Sequence, residues 1–327
     1  MIMIIGGASS TGSSLLNQLL GRHPRVLISQ ESSLFARPQL IMDWTRYKKR
    51  MLYWNKLNSL KSHGWHRENG LTIPSDTWQT SNQFLSEMIE IEHTYPRFIA
   101  LLKGHILTKN DVDVWVEKTP ANALTMSLLS QVLEGVHFIT TIRDPLEAIA
   151  SMVHRGFDAV YASCVYLLNS SFAMQSTLSN WTLVKYEALI LDYKSIVAQL
   201  VDTAGLSIDQ IDWNLTGEDV KIKGWRYYEN RLPQRSEESR FKTLPIVQQR
   251  LILMAIQHLK IDPKFHVYGQ RPSLLTIKDI AECYGYIVPN STETEGKNVI
   301  RHKLKKAAIN RSFRLDPINY FNFPFVR

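Results

Sequence analysis

The first twenty residues carry the pattern that most restricts how this chain can fold. An apolar run, Met1–Ile5, is followed by a loop of small residues, Gly6–Gly12, and then by apolar residues at helical spacing over Ser13–Leu20. This order predicts a buried strand, a tight loop and a helix. Consecutive backbone N–H groups of such a loop, at a helix N-terminus, form a site for an anion.

The loop keeps the backbone half of a nucleotide-binding P-loop but lacks its lysine. Gly7 and Gly12 have the spacing of that motif, whereas Ser13 stands where a nucleotide triphosphatase needs lysine. The hydroxyl side chains add donors to the backbone N–H groups. The alternative is a strand-to-helix turn that uses glycine only for its backbone conformation. The candidate ligands of a phosphate or sulfate group are Ser9, Ser10, Thr11, Gly12, Ser13 and Ser14.

Further strand and helix patterns alternate along the chain. Val136–Ile142 is a nearly continuous run of apolar and β-branched residues, typical of a parallel strand buried on both faces. Strands that alternate with helices predict an α/β fold with a P-loop-type parallel sheet flanked by helices. The other predicted strands are Val112–Glu117 and Thr182–Tyr186, with a short second strand before Glu31, and the predicted helices are Ala121–Leu133, Leu146–His154, Tyr193–Thr203, Ile246–Leu259 and Leu275–Tyr284.

The simplest organisation is one α/β domain over residues 1–327, with a helical insertion after the second strand at 44–110 and a basic extension at 291–327. Within the insertion, Trp44–Arg67 has seven Lys/Arg and five Trp/Tyr residues but no acid. It is either a lid on the acceptor side of a site or a surface helix that covers apolar area with long side chains.

Composition excludes several classes. The two cysteines, Cys164 and Cys283, have no metal-site spacing and indicate no disulfide framework, so we expect a cytoplasmic protein without a metal. The apolar runs are far shorter than the roughly 20 residues that span a bilayer, so we expect no membrane span. The net charge of +8 favours anionic ligands, but no recognised signature supports nucleic-acid binding, and the oligomeric state is left open.

Three stretches, in order, resemble P-loop sulfotransferases, whose donor is 3′-phosphoadenosine 5′-phosphosulfate (PAPS). The first is Gly7–Leu16, followed by Gly-Arg-His-Pro; the second joins Glu117–Pro120 to Phe138–Pro145 and Ser151; the third is Val184–Glu187. The resemblance covers about the first 205 residues and is to the tyrosylprotein and bacterial branch of the family. It implies a sulfotransferase that uses PAPS as donor cosubstrate and needs no metal.

The resemblance also implies roles for single residues. Arg143 and Ser151 match the pair that grips the 3′-phosphate of the donor, Glu31 matches a glutamate that takes the acceptor's proton, and Lys118 matches a lysine near the transferred group. One position departs from the pattern: Ser10 stands where relatives usually carry Lys or Arg, so another residue must supply that charge, and Lys118 is the candidate.

Each of these residues also has a structural interpretation. Arg143 and Asp144 would form an ion pair at a helix N-terminus, Ser151 would be a surface helix residue, and Glu31 and Lys118 would be solvated. The alternative bases are His23, His105 and His154.

The expected activity is metal-independent, in-line transfer of a sulfuryl group from PAPS to a hydroxyl or amine, with release of adenosine 3′,5′-bisphosphate (PAP). Transfer of this kind needs alignment and neutralisation of developing charge, and we find no carboxylate pair for Mg²⁺ in the sequence. The acceptor is expected to be a small molecule, a saccharide or a carrier-bound group, anionic ones included. The alternatives are a nucleotide-dependent kinase and a catalytically degenerate nucleotide-binding protein of the same fold.

Overall fold

A computed structural model of the chain describes residues 1–29, 31–32, 34–49, 82–173, 179–213, 238–264, 266 and 271–289. Five parallel strands form one sheet in the order β2-β3-β1-β4-β5. The strands are β1 Ile2–Gly7, β2 Val26–Ile28, β3 Val114–Lys118, β4 Val136–Ile142 and β5 Trp181–Lys185.

The order of the strands reverses at β1, because the chain first adds β2 and β3 on one side of it and then β4 and β5 on the other. Open parallel sheets bind ligands in the crevice outside the carboxyl ends of their strands at such a switch point. The loop that follows β1 lies at this crevice, so the topology places the predicted anion site where the fold favours a ligand.

The predicted α/β sheet is confirmed. The strand predicted at Val136–Ile142 has those bounds, and all seven of its residues are buried, as expected for a parallel strand covered on both faces. The other predicted strands shift by one or two residues. Helices cover both faces of the sheet, and three apolar clusters form the core.

The helices comprise an insertion between β2 and β3 and a set that covers the rest of the sheet. The insertion holds α2 Pro38–Met42, a helical stretch at 44–49, α3 Asn82–Ile91 and α4 Tyr95–Asn110. The others are α1 Ser13–Leu20, α5 Met126–Leu129, α6 Pro145–His154, α7 Ala159–Ala173, α8 Tyr186–Leu191, α9 Tyr193–Thr203, α10 Ile246–His258 and α11 Ile277–Tyr284, with 3₁₀ turns at Pro120–Leu124 and Ile208–Gln210.

The single helix predicted at Ala121–Leu133 is wrong. The chain forms a 3₁₀ turn and then the short α5, with Thr125 between them at φ −125°. The Thr125 hydroxyl donates to the carbonyl of Phe35, and the Asn122 amide donates to the carbonyl of Ile5 at 3.0 Å. These tertiary hydrogen bonds override the helical periodicity because they hold both polar side chains inward.

The basic aromatic segment Trp44–Arg67 is described only as far as residue 49. Trp44 is buried, stacks on Phe98 with ring centroids 5.0 Å apart and donates from its indole to the carbonyl of Glu92 at 3.0 Å. Lys48 donates to the carbonyl of Glu90 at 2.7 Å. These contacts join the insertion's helices to one another. Residues 50–67 and the extension 291–327 lie outside the described residues.

Candidate active site

The β1–α1 loop, residues 8–12, has a backbone that only particular residues can adopt. Gly7 has φ 133°, and a Cβ there would lie 2.3 Å from the carbonyl oxygen of Thr141. Gly12 has φ 91°, and a Cβ there would lie 2.7 Å from the ring of Tyr186. Ser10 takes a left-handed conformation, φ 68°, although it is not glycine. The two glycines therefore serve close packing as well as the turn.

Thr11 holds this loop together from within. Its hydroxyl donates to the carbonyl of Ala8 at 2.6 Å and lies 2.6 Å from the hydroxyl of Thr141 on β4. Thr11 is fully buried, so its side chain is occupied by the protein and only its backbone N–H is left to serve a ligand. Ser13 is also buried, in the first turn of α1, whereas Ser9, Ser10 and Ser14 are more accessible.

Arg143 lies at the carboxyl end of β4, next to the loop. Its guanidinium stacks on the ring of Tyr186 at 4.2 Å, donates to the carbonyl of Ser10 at 3.4 Å and lies 3.6 Å from the carboxylate of Glu147. Its own carbonyl accepts from the Tyr166 hydroxyl at 2.8 Å. The guanidinium is thus held between the Tyr186 ring and the Ser10 carbonyl, and a guanidinium can make bidentate contact with an anion.

Asp144 caps helix α6 rather than pairing with Arg143. Its carboxylate accepts from the backbone N–H groups of Leu146 at 2.8 Å and Glu147 at 3.2 Å. Burial raises the pKa of Asp144, and the two cap hydrogen bonds oppose that shift. The ion-pair partner of Arg143 is Glu147, one turn into α6.

Ser151 is buried on α6 and is in contact with a second arginine, Arg240. The Arg240 guanidinium donates to the Ser151 hydroxyl at 3.2 Å. The backbone of Arg240 is held by the same helix, because its N–H donates to Glu147 at 3.1 Å and its carbonyl lies 3.0 Å from Nε2 of His154. Helix α6 therefore fixes Arg240 by both its backbone and its side chain.

Arg155 brings a third guanidinium to the loop. It follows α6 and donates to the Ser10 hydroxyl at 2.6 Å. Residues 143, 147, 151 and 155 recur at intervals of four; Glu147 and Ser151 share one side of α6, and Arg143 and Arg155 lie just before and just after that helix. Sequence reasoning missed Arg155, although this spacing from Arg143 was a signal that could have found it. It also missed Arg240, for which the sequence offers no comparable signal.

Glu31 and Lys118 come together on the other side of β1. The Lys118 ammonium at the end of β3 forms an ion pair with the Glu31 carboxylate in the segment that follows β2. The Lys118 side chain is 9% exposed and the Glu31 side chain 29%, so the carboxylate is the more accessible partner. The two residues predicted to share the chemistry are in direct contact.

The alternative bases are engaged elsewhere. His23 is buried, and its ring lies 3.1 Å from the carbonyl of Ser207 and accepts from the N–H of Arg25 at 3.1 Å. His105 packs against the ring of Phe84 with centroids 4.5 Å apart. His154 holds Arg240 in place. In the part of the chain that the structure describes, no three His, Cys, Asp or Glu side chains converge on a metal site.

The site thus collects polar groups from the carboxyl ends of three neighbouring strands. Residues 3–210 match the sequence profile described as the sulfotransferase family. The chain belongs to the sulfotransferase family. The family assignment agrees with the resemblance in the sequence, and the matched residues include the loop, Glu31, Lys118, Arg143 and Arg155. Arg240 lies beyond them.

Solved structures with similarity to this family member are also sulfotransferases. The sulfotransferase domain from the Synechococcus PCC 7002 olefin synthase is 13% identical, with a TM-score of 0.45, over 93% of this chain and 94% of that one. The sulfotransferase domain from the curacin biosynthetic pathway is 14% identical, with a TM-score of 0.42, over 93% and 97%. A sulfotransferase from Alicyclobacillus acidocaldarius is 14% identical, with a TM-score of 0.37, over 63% and 81%. No curated protein matches the chain significantly.

Among the described residues, no helix is long and apolar enough to cross a membrane.

Proposed function

We propose that this chain transfers a sulfuryl group from PAPS to a hydroxyl or amine, by an in-line and metal-independent step. The observation that carries the proposal is the arrangement of Arg143, Arg155 and Arg240 around the β1–α1 loop and one side of α6. Two of these guanidinium groups contact the loop at the N-terminus of α1 and the third contacts Ser151 on α6, which suits a ligand with several anionic groups. PAPS carries such groups at both ends of its ribose.

The 3′-phosphate of the donor distinguishes PAPS from ATP, and three residues suit it. Arg240 donates to the Ser151 hydroxyl on α6 and Arg143 pairs with Glu147 one turn earlier on the same helix, and each guanidinium can donate two hydrogen bonds to phosphate oxygens. The Glu147 carboxylate accepts from the backbone N–H of Arg240 and pairs with the Arg143 guanidinium. We propose that the 3′-phosphate binds here.

The 5′-phosphosulfate suits the loop and Arg155. The backbone N–H groups of residues 9–14 lie at the N-terminus of α1, where the helix dipole favours negative charge. Ser10 supplies no cation, but the guanidinium of Arg155 contacts its hydroxyl. In this proposal Arg155 provides the charge that the loop itself lacks.

The chemistry would use Glu31 and Lys118. The acceptor oxygen or nitrogen attacks sulfur, the bond from sulfur to the bridging oxygen of the donor breaks, and PAP leaves. The acceptor's proton passes to the Glu31 carboxylate, and the Lys118 ammonium stabilises the negative charge that develops on the bridging oxygen. We propose as acceptor a small molecule, a saccharide or a carrier-bound group, because nothing in the described site restricts it further.

The test is a comparison of ligands by thermal shift. PAP should stabilise the protein more than ADP or ATP at equal concentration, because only PAP has the 3′-phosphate; a ligand at 100 times its Kd adds about 2.7 kcal/mol. A kinase would prefer ATP. Equal shifts for the three ligands would overturn the proposal.

Calorimetry on two arginine variants sharpens this test. Arg143→Ala should weaken PAP by about 1.5–3 kcal/mol, as for a charged hydrogen bond, and leave 5′-AMP nearly unaffected. Arg25→Ala is the matched control, because Arg25 pairs with Asp111 and Asp113 at the opposite edge of the sheet. Equal losses for PAP and 5′-AMP in Arg143→Ala would remove Arg143 from the 3′-phosphate site.

A further inference from the structure

Two consecutive residues of β3 hold the segment that carries the proposed base. Lys118 pairs with the side chain of Glu31, and the preceding residue, Glu117, binds the next residue along, Ser32. The Glu117 Oε1 atom accepts from the backbone N–H of Ser32 at 2.9 Å and from its hydroxyl at 2.7 Å. Glu117 therefore binds the main chain at the residue directly after Glu31.

The Glu117 carboxylate is itself fixed from the other side. Oε1 also accepts from the Thr119 hydroxyl at 2.7 Å, and Oε2 accepts from the Asn122 amide at 2.6 Å. Glu117 is fully buried, and a buried carboxylate is tolerated only with such a set of hydrogen bonds. Burial raises the pKa of Glu117, and the hydrogen bonds from Ser32, Thr119 and Asn122 oppose that shift.

The bond to the Ser32 N–H matters for Glu31 because of backbone geometry. The peptide group between the two residues is planar, so fixing the N–H of Ser32 also fixes the carbonyl end of Glu31. The Ser32 hydroxyl accepts from the N–H of Leu34 at 3.2 Å, which extends the same constraint along the segment. A lysine has a long and flexible side chain, and by itself it would not hold a carboxylate in one place.

We propose that Glu117 is a positioning residue of the transfer step: through Ser32 it fixes the backbone at Glu31, so that the carboxylate meets Lys118 and the acceptor in one geometry. This inference rests on the proposed function for its catalytic meaning. Glu117 itself touches neither donor nor acceptor in this scheme. Its contribution is the preorganisation on which proton transfer in an active site depends.

Two variants separate positioning from a merely structural role. Ser32→Ala and Thr119→Val each remove one 2.7 Å hydrogen bond to the same oxygen of Glu117, but only Ser32 belongs to the segment of Glu31. Ser32→Ala keeps the backbone N–H bond to Glu117 but removes both hydrogen bonds of the Ser32 hydroxyl, to Glu117 and from the Leu34 N–H. We expect it to lower kcat for transfer from PAPS to an aliphatic alcohol, which needs a base to lose its proton, by about 10- to 100-fold, since small misplacements cost that much. The KM of Ser32→Ala for PAPS should stay unchanged, and the kcat of Thr119→Val should fall much less than that of Ser32→Ala, because this variant leaves both bonds from Ser32 to Glu117 in place.

A second measurement needs neither donor nor acceptor. Acetic anhydride labels free amines, and peptide mass spectrometry reports how much Lys118 has reacted. Because the ion pair with Glu31 protects Lys118, labelling should rise several-fold in Ser32→Ala and much less in Thr119→Val. Glu117→Gln, which keeps the shape of the side chain, should raise labelling as Ser32→Ala does, and it replaces that variant if Ser32→Ala does not fold.

The outcomes separate this inference from the proposed function. Equal labelling of Lys118 in the wild type, Ser32→Ala and Glu117→Gln overturns the positioning role, whatever the protein turns over. Equal loss of kcat in Ser32→Ala and Thr119→Val also overturns it, because it indicates a general structural defect. A wild type that does not prefer PAP over ADP and ATP contradicts the proposed function and leaves the labelling result valid.

Discussion

Arg155 donates a hydrogen bond to the hydroxyl of Ser10 across 2.6 Å, and so joins the end of α6 to the loop after β1. The two residues are 145 positions apart in the chain. The resemblance to P-loop sulfotransferases implies a cation at the position of Ser10, and Arg155 brings a guanidinium to that position from another element. We propose that Arg155 supplies the charge that the loop itself lacks.

The first prediction follows from this contact. Arg155→Ala should weaken both PAP and 5′-AMP by about 1.5–3 kcal/mol, because both ligands share the 5′-phosphate that Arg155 is proposed to contact. Arg143→Ala, by contrast, should affect PAP alone. Isothermal titration calorimetry with the two ligands measures the difference, and a loss for PAP alone in Arg155→Ala would place Arg155 at the 3′-phosphate instead.

A cation restored to the loop provides the control. Ser10→Lys in the Arg155→Ala background should recover much of the lost affinity, since the charge then comes from the position where relatives have it. Arg155→Lys should retain charge but lose the fork of the guanidinium and bind with intermediate affinity. No recovery in the double variant would show that Arg155 contributes something other than charge at Ser10.

The second prediction concerns the pair on α6. Ser151→Ala and Arg240→Ala should each weaken PAP, and the double variant should lose less than the sum of the two, because the residues are in contact at 3.2 Å. Coupling energies for such neighbours are about 0.5–3 kcal/mol. A double-mutant cycle by calorimetry measures the coupling, with 5′-AMP as the control ligand. Strict additivity would mean that the two side chains bind the donor independently.

The fold was largely predictable because its buried strands leave a strong pattern. A parallel strand covered on both faces needs a continuous apolar run, and Val136–Ile142 has one, so its bounds could be read directly. The helix expected at Ala121–Leu133 failed for the opposite reason. The side chains of Asn122 and Thr125 bond to residues more than 80 positions away, and periodicity contains no information about such partners.

The site was predictable where strand ends define it. Lys118 ends β3 and Arg143 directly follows β4, the two strands on either side of β1, so the topology brings both residues to one edge of the sheet. Glu31 follows β2, which lies beside β3. Arg155 and Arg240 were not predicted. Their contacts depend on the left-handed conformation of Ser10 and on the hydrogen bond from the Arg240 N–H to Glu147, 93 positions away, and neither is encoded in a local pattern.

The third prediction separates the roles of Glu31 and Lys118. Glu31→Gln should lower kcat by about 10²–10⁴-fold as a lost general base, and Lys118→Ala by about 10²–10³-fold as a lost charge stabiliser, with little change in PAP affinity. A nitrophenol acceptor, which loses its proton readily, should partly rescue Glu31→Gln. Lys118→Ala should stay slow with it, because the leaving group is unchanged. Steady-state kinetics with a nitrophenol and an aliphatic alcohol measures both effects, and wild-type turnover in both variants would refute the assignment.

The last prediction is the pH dependence of stability that Glu117 causes. Burial raises the pKa of Glu117 in the folded chain above its ordinary value of 4.5. Between pH 4.5 and the pKa in the folded chain, the folded chain therefore holds a proton that the unfolded chain has released. The contribution of Glu117 to stability is therefore fully present below the unfolded pKa and is lost as the pH rises through the folded pKa. Glu117→Gln cannot titrate and should lack this dependence.

Urea unfolding of both proteins between pH 4 and pH 8 tests the prediction. The unfolding free energy of the wild type minus that of the variant should fall with rising pH and then level off. A difference that is constant or that rises with pH would mean that the four hydrogen bonds outweigh burial and keep the carboxylate ionised throughout.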